Sequence, residues 1–137
     1  MIYVFDSSFV GAVIIPDEKN PKVDKIRASI SEEDEIFIPN LLWYEITNVF
    51  KNLIRRKRFK GDEVMRLFPK LIAIRMKNDY TTGMEYSRKL LQLCNDYNLS
   101  SYDAAYLELA ERKNAVLCTL DESLRIAAKK HGVTVTK

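Results

Sequence analysis

Five short apolar runs, separated by longer stretches with helical spacing, leave this chain few folds to adopt. The runs cover Ile2–Phe5 and residues 36–38, 71–74, 115–118 and 133–135. Except for the last they are near-continuous rather than alternating, the pattern of strands buried on both faces of a parallel sheet. Residues 40–57 carry Leu42, Ile46, Val49, Phe50 and Leu53 at helical spacing, and residues 81–97 carry Met84, Leu90, Leu91 and Cys94. Further helical stretches follow at Ser101–Arg112 and Glu122–Lys130. Strands alternating with helices predict an α/β domain whose parallel sheet is covered on both faces. A length of 137 residues suits one domain spanning 1–137, and no repeat, linker or low-complexity tract divides it.

Composition narrows the chemistry. With 47% hydrophobic and 30% charged residues the chain reads as a soluble globular protein. Its four glycines are scattered, which excludes a glycine-rich phosphate loop, and its single histidine, His131, argues against a zinc hydrolase or a Ser–His–Asp triad. Cys94 and Cys118 form no metal or redox motif and read as reduced small hydrophobes. The longest apolar run, residues 9–15, is far short of the roughly 18 residues a membrane helix needs. No basic leader precedes Asp6, so a cytoplasmic location is expected. Whatever chemistry is present must come mainly from carboxylates.

In open α/β sheets the ligand site lies at the carboxyl edge of the strands. Asp6 directly follows the first run and Asp121 closely follows the fourth. Glu45 falls early in the helix that leaves the second run. The tight link after Ser101–Arg112 makes that helix run antiparallel to the next strand, which brings Asp103 to the same edge. Singly, each Asp has a structural explanation: Asp6 and Asp121 as helix N-caps, and Asp103 as the acid of a Ser100–Asp103 capping box. Glu45 is different, because it lies between Leu41 and Val49 on the apolar arc of its helix, where an unpaired charge is costly.

Four clustered carboxylates repel one another unless cations hold them ionised. With oxygen donors and no thiolate or imidazole cluster, the expected cation is Mg²⁺ or Mn²⁺. Such sites perform metal-assisted phosphodiester hydrolysis. The order and spacing of Asp6-Ser7-Ser8, Glu45, Ser101-Tyr102-Asp103-Ala104-Ala105-Tyr106 and Leu117-Cys118-Thr119-Leu120-Asp121 resemble the PIN-domain family, and within it the VapC-type toxins of toxin–antitoxin pairs. The resemblance implies a three-layer α/β/α sandwich around a parallel sheet of four to five strands, and a Mg²⁺- or Mn²⁺-dependent endoribonuclease. It implies that Asp6 and Asp103 are the principal metal ligands, with Glu45 in support and Asp121 in a variable role. Thr119 and Ser8 match the small hydroxyl residues placed beside the acids. A cognate antitoxin and a homodimer are implied partners, with Trp43, Tyr44 and Phe59 on residues 40–57 and 59–69 as candidate anchors.

Lys51, Arg55, Arg56, Lys57, Arg58 and Lys60 form an acid-free block without which the chain would be net negative rather than +3. Arg55, Arg56, Lys57 and Arg58 are candidate RNA phosphate contacts; the alternative is a solvated helix end offsetting the helix dipole. His131-Gly132 reads as a helix stop. Competing functions are a free-standing nuclease of the same family in RNA processing and a non-catalytic domain whose acids bind a basic partner. A haloacid-dehalogenase-like phosphatase would want an Asp where Ser8 stands.

Overall fold

The computed structural model describes residues 1–136. Four strands, β1 (Ile2–Phe5), β2 (Glu35–Pro39), β3 (Met76–Asp79) and β4 (Val116–Cys118), form one parallel sheet in the order β3-β2-β1-β4. Strands β1, β2 and β4 carry the apolar sequence, and Val4, Phe5, Ile38 and Leu117 are fully buried. The last apolar run adds a single parallel bridge, Val135 to Leu117, rather than a fifth strand.

Among the described residues eight α-helices surround the sheet: α1 (Ser7–Ile14), α2 (Pro21–Ser29), α3 (Leu42–Arg55), α4 (Gly61–Met65), α5 (Phe68–Ile74), α6 (Met84–Tyr97), α7 (Ser101–Arg112) and α8 (Glu122–Lys130). Helix α7 packs directly on β1, β2 and β4 with α6 against it, while α2, α3 and α5 pack around α1 as the second helical layer. Every residue of α7 from Ala104 to Ala110 is buried. Its alanines let it lie close to the sheet, as an all-round buried helix must. At the end of α8, His131 is followed by Gly132 at φ 85°, the left-handed geometry that stops a helix without a Cβ penalty.

One expected strand is instead a helix. Residues 71–74 end α5, because Val64, Leu67, Leu71 and Ile74 recur at helical spacing and are buried, whereas Ile72 is 79% exposed. The strand begins two residues later, in the polar sequence Met76-Lys77-Asn78-Asp79. It pairs only with β2, from Ile36↔Met76 to Pro39↔Asp79. An edge strand with one partner does not need an apolar run, and polar residues suit it. Helix α2 was not expected either. It buries only Val23 and is organised by its start, where Asn20 accepts a 2.9 Å hydrogen bond from the Lys22 backbone and Pro21 opens the first turn.

Candidate active site

The strand order reverses between β1 and β4, so the crevice where a ligand binds opens beyond the carboxyl ends of these two strands. Their register pairs Phe5 with Cys118, which sets Asp6 and Thr119 side by side at the rim. Asp6 is 4% exposed. Its Oδ1 accepts hydrogen bonds from Ser8 Oγ (2.6 Å) and the Phe9 N–H (2.9 Å), and its Oδ2 accepts one from Thr119 Oγ1. Thr119 Oγ1 in turn accepts from the Asp121 N–H (3.0 Å), and Ser8 Oγ from the Leu120 N–H (3.0 Å). The loops leaving the two strands are therefore stitched together around one buried carboxylate. Asp6 caps α1 and stands in the site at once, so the capping and functional explanations do not compete.

Asp121 likewise caps α8 through the Leu124 N–H (2.9 Å), and its side chain is exposed at the rim. Glu45 is half-buried near the start of α3, where its Oε1 accepts a 2.6 Å hydrogen bond from the Tyr106 hydroxyl on α7. Asp103 stands one helical turn before Tyr106. Its backbone N–H is capped by Ser100 Oγ (3.1 Å), but among the described residues its carboxylate has no hydrogen-bond partner.

Electrostatics bind these groups into one site. Burial pushes the Asp103 carboxyl up to about 6, and the charges of Asp121, Asp6 and Glu45 add to the rise. Burial also raises Asp6, against the pull of its bonds from Ser8, Thr119 and Phe9, and Asp121 raises it further. Glu45 is raised by burial; the Tyr106 bond opposes the rise and the Asp6 charge adds to it. All four predicted acids thus reach the same edge.

They do not close into a cage: among the described residues no three acids come together as a chelating group. The donor set still fits a hard divalent cation of the Mg²⁺ type, which typically takes one or two carboxylates and keeps several waters. Asp103 offers free oxygens, and each carboxylate oxygen of Asp6 retains acceptor capacity beyond its present bonds. A cation there would also relieve the repulsion that raises Asp103.

The basic block lies elsewhere. Arg55 ends α3, ten residues from Glu45 and so about 15 Å along the axis at about 1.5 Å per residue. Arg55, Arg56 and Lys57 are exposed, whereas Arg58 is engaged with Asp17 (2.6 Å) and Glu18 (3.3 Å) in the turn Pro16–Glu18. Arg58 fastens that turn to the end of α3. The bond from Tyr106 to Glu45 crosses 61 residues and leaves no local signature in the sequence.

Comparison with known proteins agrees with this architecture. The family model of the PIN domain matches residues 3–130. Ribonuclease VapC3 of Pyrobaculum aerophilum is 27% identical over 136 residues, covering 99% of each chain. Among solved structures, VapBC2 from Rickettsia felis, bound to a DNA fragment from its promoter, superposes with a TM-score of 0.71 at 12% identity, covering 98% of this chain and 97% of that one. VapC20 from Mycobacterium tuberculosis, a Sarcin-Ricin loop cleaving toxin, superposes with a TM-score of 0.65 at 14% identity, covering 93% and 95%.

Proposed function

Because this chain belongs to the PIN domain family, we propose that it is an endoribonuclease that hydrolyses RNA phosphodiester bonds with Mg²⁺ or Mn²⁺, and that it is the toxin of a toxin–antitoxin pair. The observation that carries the proposal is Asp103: a carboxylate without a hydrogen-bond partner among the described residues, raised to about 6 beside Asp121, Asp6 and Glu45. Such a group gains more from a cation than from any protein neighbour it has. Asp6 and Asp103 would hold the ion, and Glu45 and Asp121 would face its waters. Bound there, the ion supplies a more acidic water and neutralises charge on the phosphate.

The chain's own residues do the rest. Ser8, Thr119 and the Phe9 N–H fix Asp6 in one orientation. Tyr106 holds Glu45 by its Oε1, which restricts how the carboxylate can turn. Asp103, raised by burial and by the neighbouring acids, would be held ionised by the cation it binds. The exposed Arg55, Arg56 and Lys57 would contact phosphates remote from the cut, with Arg58 buttressing them from its pair with Asp17.

The similarity to a ribonuclease VapC3 and to a toxin that cleaves the Sarcin-Ricin loop supports the toxin assignment. An RNA-cleaving toxin needs an inhibitor, and an antitoxin Arg or Lys could pair with Asp103 in the acidic crevice. For the homodimer, Phe59 is packed on the core and Trp43 Nε1 is bound to Asn78, so neither is a free anchor. Ile54, Met65 and Ile72 on α3, α4 and α5 are exposed apolar side chains that a partner copy could cover. On this reading residues 1–137 act as one domain in the cytoplasm; among the described residues no helix is long and apolar enough to cross a membrane.

The test is cleavage of RNA by the purified chain with Mg²⁺, with Mn²⁺ and with EDTA. Cleavage is expected with either metal and none with EDTA. Asp6→Asn and Asp103→Asn are expected to remove most of it while circular dichroism stays native. Full activity of a folded Asp103→Asn, or cleavage indifferent to EDTA, would overturn the proposal.

A further inference from the structure

We infer that a tyrosine-lined groove beside the acidic edge receives unpaired nucleotides of the RNA, with Tyr44 and Tyr102 as the stacking faces for a base next to the cleaved phosphate. The inference rests on the ribonuclease proposal above. Tyr44 precedes Glu45 on α3 and Tyr102 precedes Asp103 on α7. Consecutive helical residues point about 100° apart. Each helix that turns an acid into the crevice therefore turns a tyrosine onto its rim. The two rings are 71% and 60% exposed. Beside them lies a cavity of about 440 Å³ that also touches Ser7, Glu45 and Asn48. Leu41, Tyr44 and Tyr102 continue into a second cavity of about 520 Å³, which Tyr80 and Tyr86 also line. Both volumes fall in the roughly 300–1,000 Å³ range of small-ligand sites.

The lining selects the occupant. Among the described residues Glu45 is the one charged group on these walls, and no Lys or Arg lines either cavity. The groove therefore offers no cation to neutralise a phosphate. It offers aromatic faces together with neutral hydrogen-bonding groups, Asn40, Asn48, Thr81 and Ser101. Aromatic faces stack on any base, and amides and hydroxyls read base edges. Because Glu45 belongs both to this groove and to the acidic site, a base lying in it belongs to the same strand whose phosphate meets Asp6 and Asp103. A basic antitoxin segment would find one carboxylate here. Bases in a duplex are already stacked and paired, so the groove selects single-stranded loops or ends.

The full chain is titrated in EDTA against a fluorescein-labelled single-stranded oligoribonucleotide and the same sequence annealed as a duplex, read by anisotropy; KM for cleavage is measured with Mg²⁺. Tyr44→Ala and Tyr102→Ala are expected to weaken single-strand binding by roughly 5- to 150-fold each and to raise KM in parallel, with circular dichroism unchanged. Tyr44→Phe and Tyr102→Phe, which keep the ring, are expected to bind as the parent does, and the duplex more weakly. Parent-like affinity and KM in both Ala variants would overturn the inference, as would equal losses in the Phe variants or equal binding of the duplex. If the Ala variants keep RNA affinity but lose the dimer in light scattering or the antitoxin in a pull-down, the groove belongs to a protein partner and the inference falls while the ribonuclease proposal stands. A parent protein that neither binds nor cleaves RNA overturns both together.

Discussion

Replacing Asp103 by Asn is expected to stabilise this protein at neutral pH, although it removes a residue of the proposed active site. The folded state holds the Asp103 carboxyl at about 6 against an ordinary 3.8, through burial and the charges of Asp121, Asp6 and Glu45. Between these two values the folded chain keeps a proton that the unfolded chain has lost. Stability therefore falls as pH rises through that window and stays low above it. The displacement corresponds to roughly 3 kcal/mol at about 1.4 kcal/mol per tenfold change. Solvent reaches the half-buried side chain and screens the penalty to about 1–2 kcal/mol.

Asn is nearly isosteric and uncharged, so Asp103→Asn lifts the whole penalty. In EDTA at pH 7.5 its melting temperature should exceed the parent's by roughly 3–8 °C. At pH 5, where the parent's Asp103 is mostly protonated, most of the gain should vanish. Adding Mg²⁺ should raise the parent's melting temperature and leave the variant's nearly unchanged. Thermal melts followed by circular dichroism at the two pH values, with and without Mg²⁺, read all three effects. A variant no more stable than the parent at pH 7.5, or a gain that persists in full at pH 5, would refute the electrostatic account of the site.

Three further outcomes follow from the geometry. Tyr106→Phe deletes the hydroxyl that holds the Glu45 carboxyl down; it should cost about 1.5–3 kcal/mol in denaturant melts and move the acidic limb of the pH–rate profile upward, and an unmoved limb would detach Tyr106 from the site. Arg112→Ala strips the buried Glu108 of its 2.7 Å partner and releases Asp79 from the same guanidinium; a loss of about 3 kcal/mol is expected in urea unfolding, and a loss near zero would mean that Lys89, at 3.8 Å, replaces it fully. Arg55→Gln with Arg56→Gln should flatten the salt dependence of RNA binding, whereas Arg58→Gln, whose charge already serves Asp17 and Glu18, should leave the slope intact.

Local pattern alone determined much of this protein. Helices α7 and α8 occupy the residues expected of them, Ser101–Arg112 and Glu122–Lys130, because caps and helical stripes are written within a few residues of each element. Strand β1 is a buried central strand and reads as one. The arrival of Asp6, Glu45, Asp103 and Asp121 at one edge was legible too, since strand direction and short connections fix which helix ends lie there.

Tertiary structure decided the rest. Strand β3 exists because β2 supplies hydrogen-bond partners to a polar segment with no apolar run of its own, and the apolar residues 71–74 beside it wind into α5 to bury Leu71 and Ile74. The bond from Tyr106 to Glu45, the clasp of Arg58 on Asp17 and Glu18, and the cavity that Tyr44 and Tyr102 both line join segments far apart in the chain. The acidity of Asp103 is likewise no property of its neighbours in sequence. It is set by how much water the packed helices exclude and by charges carried in on three other segments, and distances through space, which no local periodicity encodes, determine both.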